Sequence, residues 1–112
     1  MNSVFIDENC IIGDNCAINS LHRIKDSVNI GKVTIEDRTI IMSNSTIVAS
    51  EIGRWVYIGE NTVICEGCKI HDHAVIGPNS VVPPNSIIDS YEVWTGNPLK
   101  FVKKLNKPEK AT

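Results

Sequence analysis

Seven side chains are of the types that do chemistry at neutral pH: Cys10, Cys16, Cys65 and Cys68, with His22, His71 and His73. Thiolates are nucleophiles and metal ligands, and imidazoles carry protons or bind metal, so spacing decides which role is open to them. Cys65 and Cys68 form C-E-G-C, a pair with zinc-like or redox-like spacing. One such pair is half a zinc site, and Cys10 and Cys16 are too far apart to supply the other half. His71 and His73 flank Asp72 in H-D-H, where either imidazole is a candidate general base.

The elements that hold these groups follow from an excess of β-branched residues. Among 112 residues there are 17 Ile and 11 Val against 3 Leu, the composition of a strand-rich chain. Read in sixes, the chain places an aliphatic or aromatic residue at Ile6, Ile12 and Ile18, then at Ile35, Ile41 and Ile47. The series resumes at Ile52, Ile58, Ile64, Ile70, Ile76, Val82, Ile88 and Trp94. Twelve of those fourteen positions are Ile, where chance would place about two, so the repeat organises the chain. Gly follows the aliphatic residue at Gly13, Gly31, Gly53, Gly59 and Gly77, and Asn takes the fourth position at Asn9, Asn15, Asn44, Asn61, Asn79, Asn85 and Asn97. Both types tolerate positive φ, so each hexad reads as one short strand and one corner. The fifth position is small or slim, including Cys10, Cys16, Thr39, Ser45, Thr62, Cys68 and Ala74. Residues there face inward with the first position, which reads three of the four cysteines as compact core.

The pattern Ile-Gly-x-x-small-x resembles that of the hexapeptide-repeat proteins. The resemblance implies an all-β chain, a single-stranded left-handed parallel β-helix of triangular section with 18 residues per coil. Residues 1–97 are expected to form the helix, with a loop thrown out over 19–34 and a partial strand at Ile30. The five-residue step from Ile47 to Ile52 predicts a corner shortened by one residue. Beyond Trp94 the repeat ends and N-P-L-K-F-V-K-K-L predicts a short C-terminal α-helix: Asn97 caps it, Pro98 opens it, and Leu99, Val102 and Leu105 make one apolar stripe. Residues 98–112 thus read as helix and basic tail.

Stacking by 18 residues, less the one deleted, predicts which corner residues lie above one another. Asn44, Asn61, Asn79 and Asn97 form one column; Arg38, Trp55, His73 and Tyr91 form another. Trp, Tyr and Arg are the types enriched at interface hot spots, so the second column is expected to be a partner-contact edge.

Three kinds of hexapeptide protein bear on function. γ-Class carbonic anhydrases resemble this chain around Ile58, where their pattern has two zinc-binding histidines; here Glu60 and Cys65 occupy those places. Hexapeptide acyltransferases, which use a histidine base and coenzyme A, resemble the tail V-W-T-G-N-P-L-K-F-V-K-K-L. The dynactin subunit 5 family resembles it over Val4 to Gly96, on I-G-R-W-V-Y-I-G-E-N-T-V-I-C-E-G-C and P-N-S-V-V-P-P-N-S. This last resemblance implies a non-enzymatic adaptor subunit with no cofactor or metal. Its partners would be other pointed-end dynactin subunits and the actin-related protein, and its place cytoplasmic and cytoskeleton-associated. The alternatives are a coenzyme A-dependent acyltransferase, which would be trimeric, and a degenerate carbonic-anhydrase-like protein.

Charge and ends narrow the partners. Residues 1–96 hold 6 basic and 12 acidic side chains, whereas 97–112 hold 5 Lys and one Glu. An acidic body repels phosphate, which disfavours nucleic acid. No apolar run approaches the roughly 18 residues of a membrane helix, and Met1-Asn2-Ser3 does not open a secretory signal, so an intracellular protein with reduced thiols is expected. The repeat begins at Phe5-Ile6 without a polar cap, and an uncapped solenoid end predicts an obligate subunit or an oligomer.

Overall fold

A β-branched residue at every sixth position favours extended backbone, and a left-handed corner between such residues turns the chain by one face of a prism. The computed structural model describes residues 3–19 and 32–106 and shows this arrangement. The first face stacks β1 (Ser3–Ile6), β4 (Lys32–Ile35), β7 (Glu51–Ile52), β10 (Lys69–Ile70) and β13 (Ile87–Ile88) in that order. The second stacks β2 (Ile11–Ile12), β5 (Ile40–Ile41), β8 (Tyr57–Ile58), β11 (Val75–Ile76) and β14 (Glu92–Thr95), with β15 (Lys100–Lys104) at its end. The third consists of β3 (Ala17–Asn19), β6 (Thr46–Val48), β9 (Val63–Ile64) and β12 (Val81–Val82). Every pair is parallel except β14 with β15.

Register places the predicted wall inward. Ile41, Ile58 and Ile76 lie directly above one another on the second face, as do Ile35, Ile52, Ile70 and Ile88 on the first. These side chains are buried, and Cys68, Val56 and Ala74 from the fifth position join them in one core. Cys10 and Cys16 pack against the same core from the first coil.

The polar members of the fifth column tie neighbouring coils together from within. Thr39 Oγ1 donates to the Gly53 carbonyl at 2.6 Å and accepts from the Val56 amide at 3.2 Å. Ser45 Oγ donates to the Gly59 carbonyl at 3.0 Å and accepts from the Thr62 amide at 3.3 Å. Ser50, at the shortened corner, repeats the arrangement with the Cys65 carbonyl and the Cys68 amide. Among the described residues no buried side-chain nitrogen or oxygen lacks a partner. Thr39→Val preserves shape but leaves the buried Val56 N–H without its acceptor. We expect a loss of about 1–3 kcal/mol in urea denaturation; an unchanged midpoint would show that the rung contributes nothing.

Two expectations are corrected. Residues 100–104 form a strand, not a helix: β14's outer edge presents unpaired backbone groups, and β15 satisfies them, with Leu105 N donating to Tyr91 O at 2.6 Å. The apolar residues assigned to a helical stripe serve a hairpin instead. Leu99 and Trp94 pack on the core, and Phe101 meets Trp94 edge-on at 5.5 Å, so the hairpin covers the C-terminal end. The second correction concerns the Asn column, which ends at Asn79; Gly96, at φ 102°, takes the left-handed turn in the last coil. Of the loop expected over 19–34, Asn19 belongs to β3 and 32–34 to β4. Residues 20–31, Ile30 included, lie outside the described residues, as does His22.

Candidate functional site

The corner between the first and second faces carries Arg38, Trp55, His73 and Tyr91, all with left-handed backbone at φ 58–67°. Such a conformation costs an L-residue of this bulk roughly 1–2 kcal/mol, and Asn or Gly would adopt it more readily. Stacking offsets part of that cost. The Arg38 guanidinium lies 5.3 Å over the Trp55 ring, Trp55 and His73 stack at 6.1 Å, and His73 and Tyr91 at 4.7 Å, within 9° of parallel. The sequence-predicted column is therefore one continuous ridge, and Trp55 is 52% exposed along it.

Beside this ridge, the first face holds an open depression of about 210 Å³. Thr34, Glu36, Glu51, Lys69, His71 and Asp72 line it, on three successive coils. The corner geometry fixes the lining. The Arg54 amide donates to the Asp72 carboxylate at 2.9 Å, and the His71 amide donates to the Ile88 carbonyl at 2.9 Å. A Cβ at Gly53 would collide with the Asp72 carboxylate, so glycine there lets the two coils meet. His71 is exposed at the depression while His73 is held between rings, so H-D-H sends its two imidazoles to different surroundings. Three carboxylates face one lysine, with Arg54 Nε 3.6 Å from Glu36 Oε1 at the edge. The field favours a positively charged guest.

The cysteines stay apart from this chemistry. Cys68 is buried and its Sγ lies 3.1 Å from the Pro83 carbonyl; Cys65 is half-buried. Burial pushes both thiols above the ordinary range, with the Glu66 carboxylate adding to the effect at Cys65. A raised pKa means less thiolate at pH 7, so iodoacetamide should modify both more slowly than free cysteine and speed up as pH rises past the usual thiol range. Faster labelling than free cysteine at pH 7 would contradict this. Glu60 is exposed and Cys65 half-buried where a γ-class anhydrase would place two zinc histidines, and among the described residues no three His, Cys, Asp or Glu side chains come together to hold a metal. That donor set does not fit zinc hydration chemistry. No helix among the described residues is long and apolar enough to cross a membrane.

The sequence reading missed the depression, whose members come from the second, third and fourth coils at positions that look like solvated polar surface. The signal that would have found it is register: Thr34, Glu51 and Lys69 stack on one line of the first face.

The fold and its repeat define a hexapeptide-repeat protein, a left-handed parallel β-helix. The chain belongs to the family described as the GMPPB C-terminal domain, whose model matches residues 1–94. It is 32% identical over 124 residues to a probable macrolide acetyltransferase of Lysinibacillus sphaericus, an alignment covering 95% of this chain and 66% of that protein. It is 30% identical over 102 residues to the mitochondrial gamma carbonic anhydrase 1 of Arabidopsis thaliana, covering 88% of this chain and 37% of that one. Among solved structures, a maltose O-acetyltransferase from Clostridium difficile 630 superposes with a TM-score of 0.64 at 25% identity, over 96% of this chain and 68% of the other. The chain thus spans little more than a third of the Arabidopsis relative and about two thirds of the acetyltransferases. These relatives are acetyltransferases and a carbonic anhydrase; the expected resemblance to the dynactin subunit 5 family finds no support among them.

Proposed function

We propose that this chain is the β-helical unit of a coenzyme A-dependent acyltransferase, with His71 as its general base. The observation that carries the reading is the 32% identity to a probable macrolide acetyltransferase across 95% of this chain. His71 adds a base with an exposed imidazole beside a polar depression. In this reading it takes the proton from an acceptor hydroxyl or amine as that oxygen or nitrogen bonds to the acyl carbon. The carbon–sulfur bond then breaks, the protonated His71 returns its proton to the sulfur, and coenzyme A leaves as its thiol. The acidic lining favours an acceptor that itself bears a positive charge, such as an aminated sugar. The test is consumption of acetyl-coenzyme A by the purified chain with neutral, anionic and amine-bearing sugar acceptors. Turnover is expected with the amine-bearing class first, and no turnover with any class would remove the proposal.

A second reading rests on the ridge. Arg38, Trp55, His73 and Tyr91 form the kind of exposed aromatic and cationic edge that partners bury, which favours a non-enzymatic subunit in a larger cytoplasmic assembly. Loss of co-purifying proteins in Trp55→Ala and Tyr91→Ala, with stability kept, would support it over the enzyme.

A further inference from the structure

The sheet of the second face ends at β15, and among the described residues no strand pairs with its far side. A strand bonded on one side only leaves alternate N–H and C=O groups facing outward, each able to join an incoming backbone. With five residues, all exposed, β15 is also the longest strand described, whereas most of the others have two. The open edge is long enough to hold an extended segment.

Pairing with β14 fixes where the side chains of β15 point. Lys103 lies opposite Val93, Phe101 opposite Trp94 and Lys100 opposite Thr95, and the register shift between Val93 and Trp94 leaves Val102 as a bulge. Val93 and Thr95 project from one side of β14 and Trp94 from the other. Lys100 and Lys103 therefore share the outer side although they are three apart in sequence, and Phe101 stands on the reverse, 49% exposed. Among the described residues the ion pairs are Arg38 with Asp37 and Arg54 with Glu36, neither of which involves β15. Glu92, opposite Lys104, is engaged elsewhere: its Oε1 accepts from the Trp94 ring nitrogen at 3.0 Å and from the Asp89 amide at 3.2 Å.

We infer that β15 docks an extended acidic peptide as a further strand, with acidic side chains at alternate positions over Lys100 and Lys103 and an apolar one between them against Phe101. The assignment does not rest on the acyltransferase reading. Charge selects this occupant. Lysines and a bulge on an edge strand deter neutral strands and repel a second β15, so pairing between copies is disfavoured. An acidic strand gains both the backbone bonds and the two unpaired ammonium groups. With few residues in contact and the charges solvated, a dissociation constant on the order of 100 μM, weakened by salt, is the expected strength.

The test is fluorescence anisotropy of a labelled peptide of alternating glutamate and valine, titrated with the whole chain up to about 1 mM. Saturable binding is expected at low salt, at least tenfold stronger than for the same peptide with lysine in place of glutamate. Methylating every backbone nitrogen of the acidic peptide keeps its charge but blocks strand pairing, and should also weaken binding tenfold or more. Lys100→Glu with Lys103→Glu should abolish binding of the acidic peptide and admit the basic one. Lys32→Glu, an equal change of charge at the exposed start of β4, should leave binding as it was. Melting curves show whether each variant folds. Lys100→Gln with Lys103→Gln removes the charge without adding any, and should weaken binding tenfold in a chain that keeps its hairpin. Slower hydrogen exchange at β15 on peptide addition is the result that places the peptide. No saturable binding, equal binding of the methylated peptide, indifference to both lysine pairs, or a β15 that pairs with a second copy instead would each overturn the inference.

Discussion

Truncating Ile58 to alanine is expected to destabilise the protein by about 2–5 kcal/mol, read as a lowered midpoint in urea denaturation. Ile58 is fully buried, with Ile41 directly below and Ile76 directly above it in the second face's inner column. Removing its outer carbons opens a void that the neighbours cannot fill, because each of them is held by backbone hydrogen bonds to the coil on either side. Met42 N to Ile58 O and Gly59 N to Ile76 O, at 2.9 and 2.8 Å, fix that spacing. In a solenoid, each coil is stabilised by its neighbours alone, so a fault in the middle coil weakens both of its interfaces. Ile11→Ala, on the outside of the same face, removes the same carbons from a largely exposed site and should cost well under 1 kcal/mol. Equal losses for the two variants would contradict the inward assignment of the column.

His71→Ala should lower acyl transfer by about 10²–10⁴-fold, the usual worth of a positioned general base, with little change in stability because the side chain is exposed. His73→Ala separates the two histidines of H-D-H. It removes the middle ring of the stack between Trp55 and Tyr91, so its expected effect is on melting and on the ridge, with transfer largely kept. The opposite pattern, with His73→Ala inactive and His71→Ala active, would move the base to the ridge. Restoration of the His71→Ala rate by added imidazole would distinguish a lost base from a lost contact.

Much of the fold could be read from one column. Twelve of the 17 isoleucines occupy the first hexad position; in the structure nine of them, from Ile35 to Ile88, are buried, Ile12 and Ile18 pack against the core, and Ile6 at the open first coil is 38% exposed, since a period of six with a left-handed residue in each turns that column inward. The ridge was legible for the same reason: a fixed coil length determines which corner residues stack. The C-terminal segment was not, because Leu99, Val102 and Leu105 satisfy a helical stripe as well as a strand that caps an open sheet edge. Only the presence of β14's unpaired edge decides between them, and that edge is a tertiary fact.

Function was less legible, for a physical reason. The segments on which the sequence suggests the dynactin subunit 5 family, such as I-G-R-W-V-Y-I-G-E-N-T-V-I, consist largely of wall positions, glycines and corners with left-handed backbone, which the prism imposes on any chain that adopts it. Resemblance concentrated there reports the fold. The side chains free to differ are those of the depression and those of the ridge, where the prism fixes a left-handed backbone but not the side chain, and it is these that the substitutions above address.

The most direct measurement is calorimetric titration of the purified chain with acetyl-coenzyme A. Saturable binding, competed by free coenzyme A, is the result expected of an acyltransferase unit. The absence of any saturable heat up to about 1 mM ligand, from a chain shown by circular dichroism to be folded, would contradict it.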